Sequence, residues 1–142
     1  VARKLIEGDI EEEMIQWLLK NNKGVMAYSP LQRGVLTGKY SPDSKLAEGD
    51  HRKNSRYFKK DNIARINAFL AKIEPIAQDY QASLAQLVLN WTIHQPGITV
   101  ALAGARNPKQ TEDNAKAAHI QLSDAEMSQI NTHLENLELD LE

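Results

Sequence analysis

The chain has 142 residues, with 17 lysines and arginines against 19 aspartates and glutamates, a formal charge of −2 and no cysteine. The near balance of charge argues against nucleic acid as the main partner. The missing cysteine excludes disulfides, cysteine-rich metal sites and thiol nucleophiles, and it fits a cytoplasmic location. No apolar run approaches the roughly 18 residues of a membrane span, so neither a membrane nor a secretory leader is expected.

The elements alternate between helix and strand. Asp9 followed by Glu12 suggests a cap and an acidic first turn, and Ile10, Met14, Trp17 and Leu18 then fall on one helical face. Gly24 stops that helix before a short apolar strand, Val25 to Tyr28. Ser29-Pro30 ends the strand, because proline has no N–H for a ladder and restricts the residue before it. The stretch from Ser41 to Asp61 is polar, charged and aperiodic, and it reads as a long, mostly solvated loop. Ile63, Ile66, Leu70 and Ile73 form a second apolar face, with Pro75 expected to kink or divide the helix. Ser83 and Gln86 have capping-box spacing ahead of Leu84, Leu87, Val88 and Trp91. Pro96-Gly97 stops that helix, and a strand ends in the run Val100 to Ala103. Ser123 and Glu126 cap a last helix, with Ala125, Met127, Ile130 and Leu134 as packing positions. The acidic segment 135–142 is expected to fray. Trp17 and Trp91 read as core residues. The four histidines, His51, His94, His119 and His133, show no metal-ligand spacing and read as structural.

Two segments carry chemistry. In Leu102 to Asn114, Gly104 and Ala105 let a backbone approach a ligand closely. Asn107 suits an N-cap, Pro108 the first helical position, and Gln110 the third position after the cap. Such a helix presents free N–H groups and the positive end of its dipole, and Arg106 stands at the same end. Together they suit a phosphate monoester. A capped helix with a surface arginine is the plainer alternative. In Val25 to Tyr40, a strand leads into a loop bent at Gly34 and Gly38 and followed by Lys39, which can grip a pyrophosphate. It is neither a Walker A loop, since Gly34 to Gly38 encloses one residue too few and Tyr40 stands where Ser or Thr should be, nor a G-x-G-x-x-G fingerprint.

Taken together, Tyr28-Ser29-Pro30-Leu31 with Gly34, Leu36, Thr37, Gly38 and Lys39, then Gly104-Ala105-Arg106-Asn107 with Gln110, Asp113 and Asn114, resemble the aldo-keto reductase family. The likeness is to the branch of bacterial general-stress reductases and potassium-channel beta subunits. That resemblance implies a TIM barrel using NADPH to reduce aldehydes or ketones. It implies that Ser29, Pro30, Leu31, Gln32, Gly34 and Leu36 form the loop over the pyrophosphate, that Tyr28 stacks on the nicotinamide and that Lys39 lies near the pyrophosphate. It further implies that Ala103, Gly104, Ala105, Arg106, Gln110, Asp113 and Asn114 hold the adenosine and its 2′-phosphate, with Asp113 where the family more often has glutamate. Arg52 matches an arginine that reaches back over the cofactor, and the 41–61 loop is expected to fold over bound cofactor.

A TIM barrel takes about 250 residues and eight strands; this chain has 142 residues and two convincing strands. It therefore reads, over 1–142, as the C-terminal half of one α/β barrel domain. The family's catalytic aspartate, tyrosine, lysine and histidine would lie in the other half, so no catalytic residue is assigned and no metal is expected. The expected partners are a small-molecule carbonyl substrate and either the missing N-terminal half or a second copy. Two alternatives stay open: a non-catalytic NADPH-binding module, and a truncated structural fragment.

Overall fold

The structure, a computed structural model, describes residues 12–141. The expected cap at Asp9 and the apolar position Ile10 lie outside them. In chain order the elements are α1 (Glu12–Lys20), β1 (Val25–Tyr28), α2 (Lys60–Asp79), α3 (Leu84–Ile93), β2 (Ile98–Leu102), α4 (Pro108–Ala115) and α5 (Asp124–Glu135). Short 3₁₀ turns occupy Gln32–Thr37, His51–Asn54, Arg56–Phe58 and Lys116–His119.

β1 and β2 pair in parallel, with Met26 opposite Val100, Ala27 opposite Ala101 and Tyr28 opposite Leu102. Alternation along a strand sends neighbouring side chains to opposite faces. Ala27, 1% exposed, faces the helical layer, while Met26 and Tyr28 are 68% and 79% exposed and lie beside the exposed Val100 and Leu102. One sheet face is therefore covered and the other is an open apolar stripe.

The covered side is built from α2, α3 and α5. Ile63, Ile66, Leu70 and Ile73 are all buried, as their spacing predicts, together with Phe69, Leu87, Val88, Trp91 and Ile130. α3 is buried on nearly every side from Leu87 to Thr92, the pattern of a central helix. Both predicted capping boxes form, at Ser83/Gln86 and Ser123/Glu126.

Several expectations are corrected. Pro75 does not divide its helix, since α2 runs unbroken from Lys60 to Asp79. Proline removes the donor to the carbonyl of Ala71, but both residues lie on the exposed face, where water can take the freed carbonyl. Buried Ile73, Ile76 and Ala77 anchor the helix on the other face. Trp17 is 59% exposed rather than in the core, and Met14 is exposed with it, because α1 turns Ile15 and Leu18 inward instead. Ala125 is exposed, while Met127, Ile130 and Leu134 pack.

Nor does the C-terminal segment fray. Leu137, Leu139 and Leu141 pack on the core. Asn62, fully buried, donates from Nδ2 to the carbonyls of Arg56 (2.8 Å) and Asp140 (2.6 Å) and accepts from the Asp140 N–H at 2.9 Å. Arg56 donates to the Leu141 carbonyl, Arg65 to that of Glu138, and Lys59 pairs with Asp140. The alternation of leucine with acid is an inward/outward pattern in extended chain, which a reading of net charge alone misses.

At the start of α5, Glu126 accepts from the Ser123 hydroxyl (2.6 Å) and backbone N–H (2.7 Å) and from the Tyr80 hydroxyl (2.9 Å). The Ser123 hydroxyl, then its backbone N–H, hold the Glu126 carboxyl below its ordinary value. Its contribution is therefore complete above the unfolded value near 4.3 and is lost as pH falls through the lower folded value. Glu126→Gln should cost about 0.5–1 kcal/mol at pH 7, the scale of a helix cap. Thermal melts should show that gap closing towards pH 3; a gap that persists there would remove the charge from the explanation.

Candidate cofactor site

A cavity of about 1090 Å³ opens at the carboxyl ends of β1 and β2. This is the end of a parallel sheet at which ligands bind in α/β folds. Its walls come from four places: the loop after β1, the loop after β2 leading into α4, the segment 47–52, and the start of α3 with Ser83, Ala85 and Gln86.

The loop after β1 is tightly wound. Ser29, Gln32 and Arg33 take left-handed conformations (φ 54°, 44° and 56°), followed by Gly34 at 91°. Each non-glycine residue there is unfavourable by about 1 kcal/mol or more. Bonds from Gln32 N to the Ser29 carbonyl (2.9 Å), Gly34 N to the Leu31 carbonyl (2.8 Å) and the Thr37 hydroxyl to the Gly34 carbonyl (2.8 Å) hold the shape. Tyr28, Ser29, Pro30, Leu31, Gly34 and Lys39 line the cavity. Gln32 is not on its wall, and Leu36 is fully buried in the core. The Leu36 side chain anchors the loop from beneath. Thr37, a motif residue given no role in the sequence, and Arg33, not singled out there, are also on the wall. Arg33 sits in the left-handed turn with φ 56°, which no local pattern announces.

On the other side, Ala103, Gly104, Ala105, Arg106, Gln110, Asp113 and Asn114 all border the cavity. Asn107 caps α4 by accepting from the Gln110 N–H at 2.9 Å, and Pro108 takes the first helical position. The reciprocal bond differs from the expected box. Gln110 Oε1 accepts from the N–H of Arg106 at 2.8 Å, which fixes the Arg106 backbone and leaves its side chain on the exposed rim. The Asp113 carboxylate lies between Lys109 Nζ (2.6 Å) and Lys116 Nζ (3.0 Å). Hydrogen bonds from these two lysines, Lys109 first, lower its pKa. The Asp113 carbonyl accepts from Gln86 Nε2 at 2.7 Å, so a residue legible only as a helix cap also ties α3 to the site.

The third wall gives order to the long polar segment. Asp50 caps the turn His51–Asn54 by accepting from the Arg52 N–H. Its carboxylate also holds the Arg52 guanidinium, through Nε at 2.9 and 3.1 Å and through Nη2. The Arg52 hydrogen bonds hold Asp50 well below the usual carboxylate range, and Asp50 in turn raises Arg52. Tyr57 is buried and Phe58 packs on the core, so the segment is only partly the solvated loop that its composition suggests. His51 borders the cavity. Among the described residues no cluster of His, Cys, Asp and Glu could hold a metal ion.

The cavity wall thus carries four cations, Arg33, Lys39, Arg52 and Arg106, and three carboxylates, Glu48, Asp50 and Asp113, of which Asp50 is engaged by Arg52 and Asp113 by Lys109 and Lys116; the cations suit an extended anion with several phosphates. The pattern for the Aldo/keto reductase family matches residues 4–135, and the chain belongs to that family of oxidoreductases, whose members use nicotinamide cofactors. It is 31% identical over 134 residues to the NADH-specific methylglyoxal reductase of Escherichia coli, covering 94% of this chain and 40% of that protein. It is 32% identical over 120 residues to an aldo-keto reductase [NADP(+)] of Schizosaccharomyces pombe, covering 84% of this chain and 35% of that one. Among solved structures, glycerol dehydrogenase from Gluconobacter oxydans superposes with a TM-score of 0.81 at 30% identity, over 90% of this chain and 39% of the other. The chain therefore spans about 40% of the length of the relatives it matches, and its fold is part of a TIM barrel. Among the described residues no helix is long and apolar enough to cross a membrane.

Proposed function

We propose that this chain is the NADPH-binding portion of a cytoplasmic aldo-keto reductase that reduces aldehydes or ketones to alcohols. The observation that carries this reading is the set of four cations, Arg33, Lys39, Arg52 and Arg106, on the wall of a cavity at the strand ends, with Arg106 beside the N-terminus of α4. Bound NADPH would supply a hydride to the carbonyl carbon, while the proton for its oxygen would come from an acid outside this chain. The residues here bind and orient. Exposed Tyr28 offers a ring face at the end of β1. Lys39 and Arg52 meet the pyrophosphate, and Arg106 meets the 2′-phosphate. NADH is the second reading, supported by the NADH-specific relative from Escherichia coli. The rest of the open stripe, Met26 and Val100, would be covered by the remaining strands of the barrel, the chain's first partner; a carbonyl substrate is its second.

Hydrogen exchange with and without NADPH tests the assignment. Residues 47–52 and the loop 29–39 should gain protection on binding, because both border the cavity. Equal protection in the two states would overturn it.

A further inference from the structure

Two cations of the cavity wall, Lys39 and Arg52, meet on one side chain that is not itself on the wall among the described residues. Lys39 Nζ stands 5.0 Å from the centroid of the Tyr40 ring, and Arg52 Cζ stands 5.5 Å from it. Both lie within the range of attraction between a cation and an aromatic face. The Tyr40 hydroxyl also accepts a hydrogen bond from Arg52 Nη1.

Tyr40 is itself fixed. Its carbonyl accepts from Asn67 Nδ2 at 2.8 Å, and Asn67 belongs to α2. Its ring meets that of Phe58 edge-on, with centroids 5.2 Å apart and planes at 76°. Arg52 also lies 5.8 Å from the Phe58 ring. A guanidinium has five N–H donors. Asp50 engages Nε and Nη2 and Tyr40 engages Nη1, which leaves two N–H groups for another acceptor. The arginine is held in place without being used up.

We propose that Tyr40 is a positioning residue for phosphate binding: from behind the wall, its ring and hydroxyl hold Lys39 and Arg52 ready for the pyrophosphate. The inference rests on the nicotinamide-nucleotide reading and adds a residue to it. Lysine and arginine side chains have many rotamers, and ordering them at the moment of binding weakens affinity. Tyr40 orders both in advance.

The test is a double-mutant cycle in the complete barrel, read by fluorescence titration with NADPH. Tyr40→Phe keeps the ring and removes the hydroxyl; it should weaken binding about 3- to 10-fold. Tyr40→Leu removes the ring as well and should weaken it further, because Lys39 is then released. In an Arg52→Ala background, Tyr40→Phe should change affinity by less than about twofold, since the bond it removes is already gone. A loss from Tyr40→Phe that is equally large without Arg52, or no loss in either background, overturns the proposal while the nucleotide reading stands. A wild-type protein that binds no NADPH in the same titration overturns both.

Discussion

Arg106→Ala is expected to weaken NADPH binding by about 10- to 100-fold while changing NADH binding by no more than about twofold. A hydrogen bond to a charged group contributes about 1.5–3 kcal/mol, and each 1.4 kcal/mol is tenfold in affinity. The two cofactors differ only in the 2′-phosphate, so the loss should fall on NADPH alone. The structure favours a clean experiment. The Arg106 backbone is tied down by Gln110, and its side chain is exposed at the rim, so truncation disturbs no core packing. The N-terminus of α4 keeps its Asn107 cap and its dipole in the variant, so some affinity for the phosphate should survive. Dissociation constants for both cofactors, from fluorescence titration of the complete barrel, provide the readout. An equal loss for both would remove Arg106 from the 2′-phosphate site and shift the balance towards NADH.

The largest effect on stability is expected at Asn62, a residue with no place in the chemistry. Asn62→Ala should destabilise the fold by about 3 kcal/mol, because it removes three hydrogen bonds between a fully buried side chain and the backbone of Arg56 and Asp140. Beyond the global loss, the variant should loosen the C-terminal segment, which is otherwise held by three leucines and by the exposed contacts of Arg56, Lys59 and Arg65. Denaturant unfolding would give the first number. Limited digestion with a carboxypeptidase would report the second, with the variant trimmed back towards Asn136 and the wild type resistant. A variant as stable and as resistant as wild type would mean that Asn62 does not hold the tail.

What could be read in advance divides by range. Caps need residues three apart, and Ser83/Gln86 and Ser123/Glu126 were legible for that reason. The helical face of α2 and the strand Val25–Tyr28 follow from spacing alone. Asn62 shows the limit, since its partner Asp140 is far along the chain and an asparagine at the start of a helix looks like any polar residue. Of the kink or division expected at Pro75, the division does not occur, and Ile73, Ile76 and Ala77 beside it are buried. At the site, the motif residues mostly reached the cavity wall, but a motif does not say whether a position acts through backbone or side chain. Leu36 is one of the motif's leucines, and its side chain is in the core. Arg33 is on the wall in a left-handed backbone conformation, and Tyr40, off the wall, touches Lys39 and Arg52 on it; neither feature has a sequence signature.

The pairing of β1 with β2 encloses α2, α3 and the whole segment between them in one loop. Joining chain ends across a loop costs more entropy the longer the loop, and such contacts are the slow ones in folding. The helices meet through contacts closer in sequence, whereas the cavity needs both strand ends at once. The site thus rests on a long-range pairing, as the C-terminal segment does through Asn62 and Asp140. An excursion that unzips the two strands would therefore open the binding cavity, since both of its main loops hang from the strand ends.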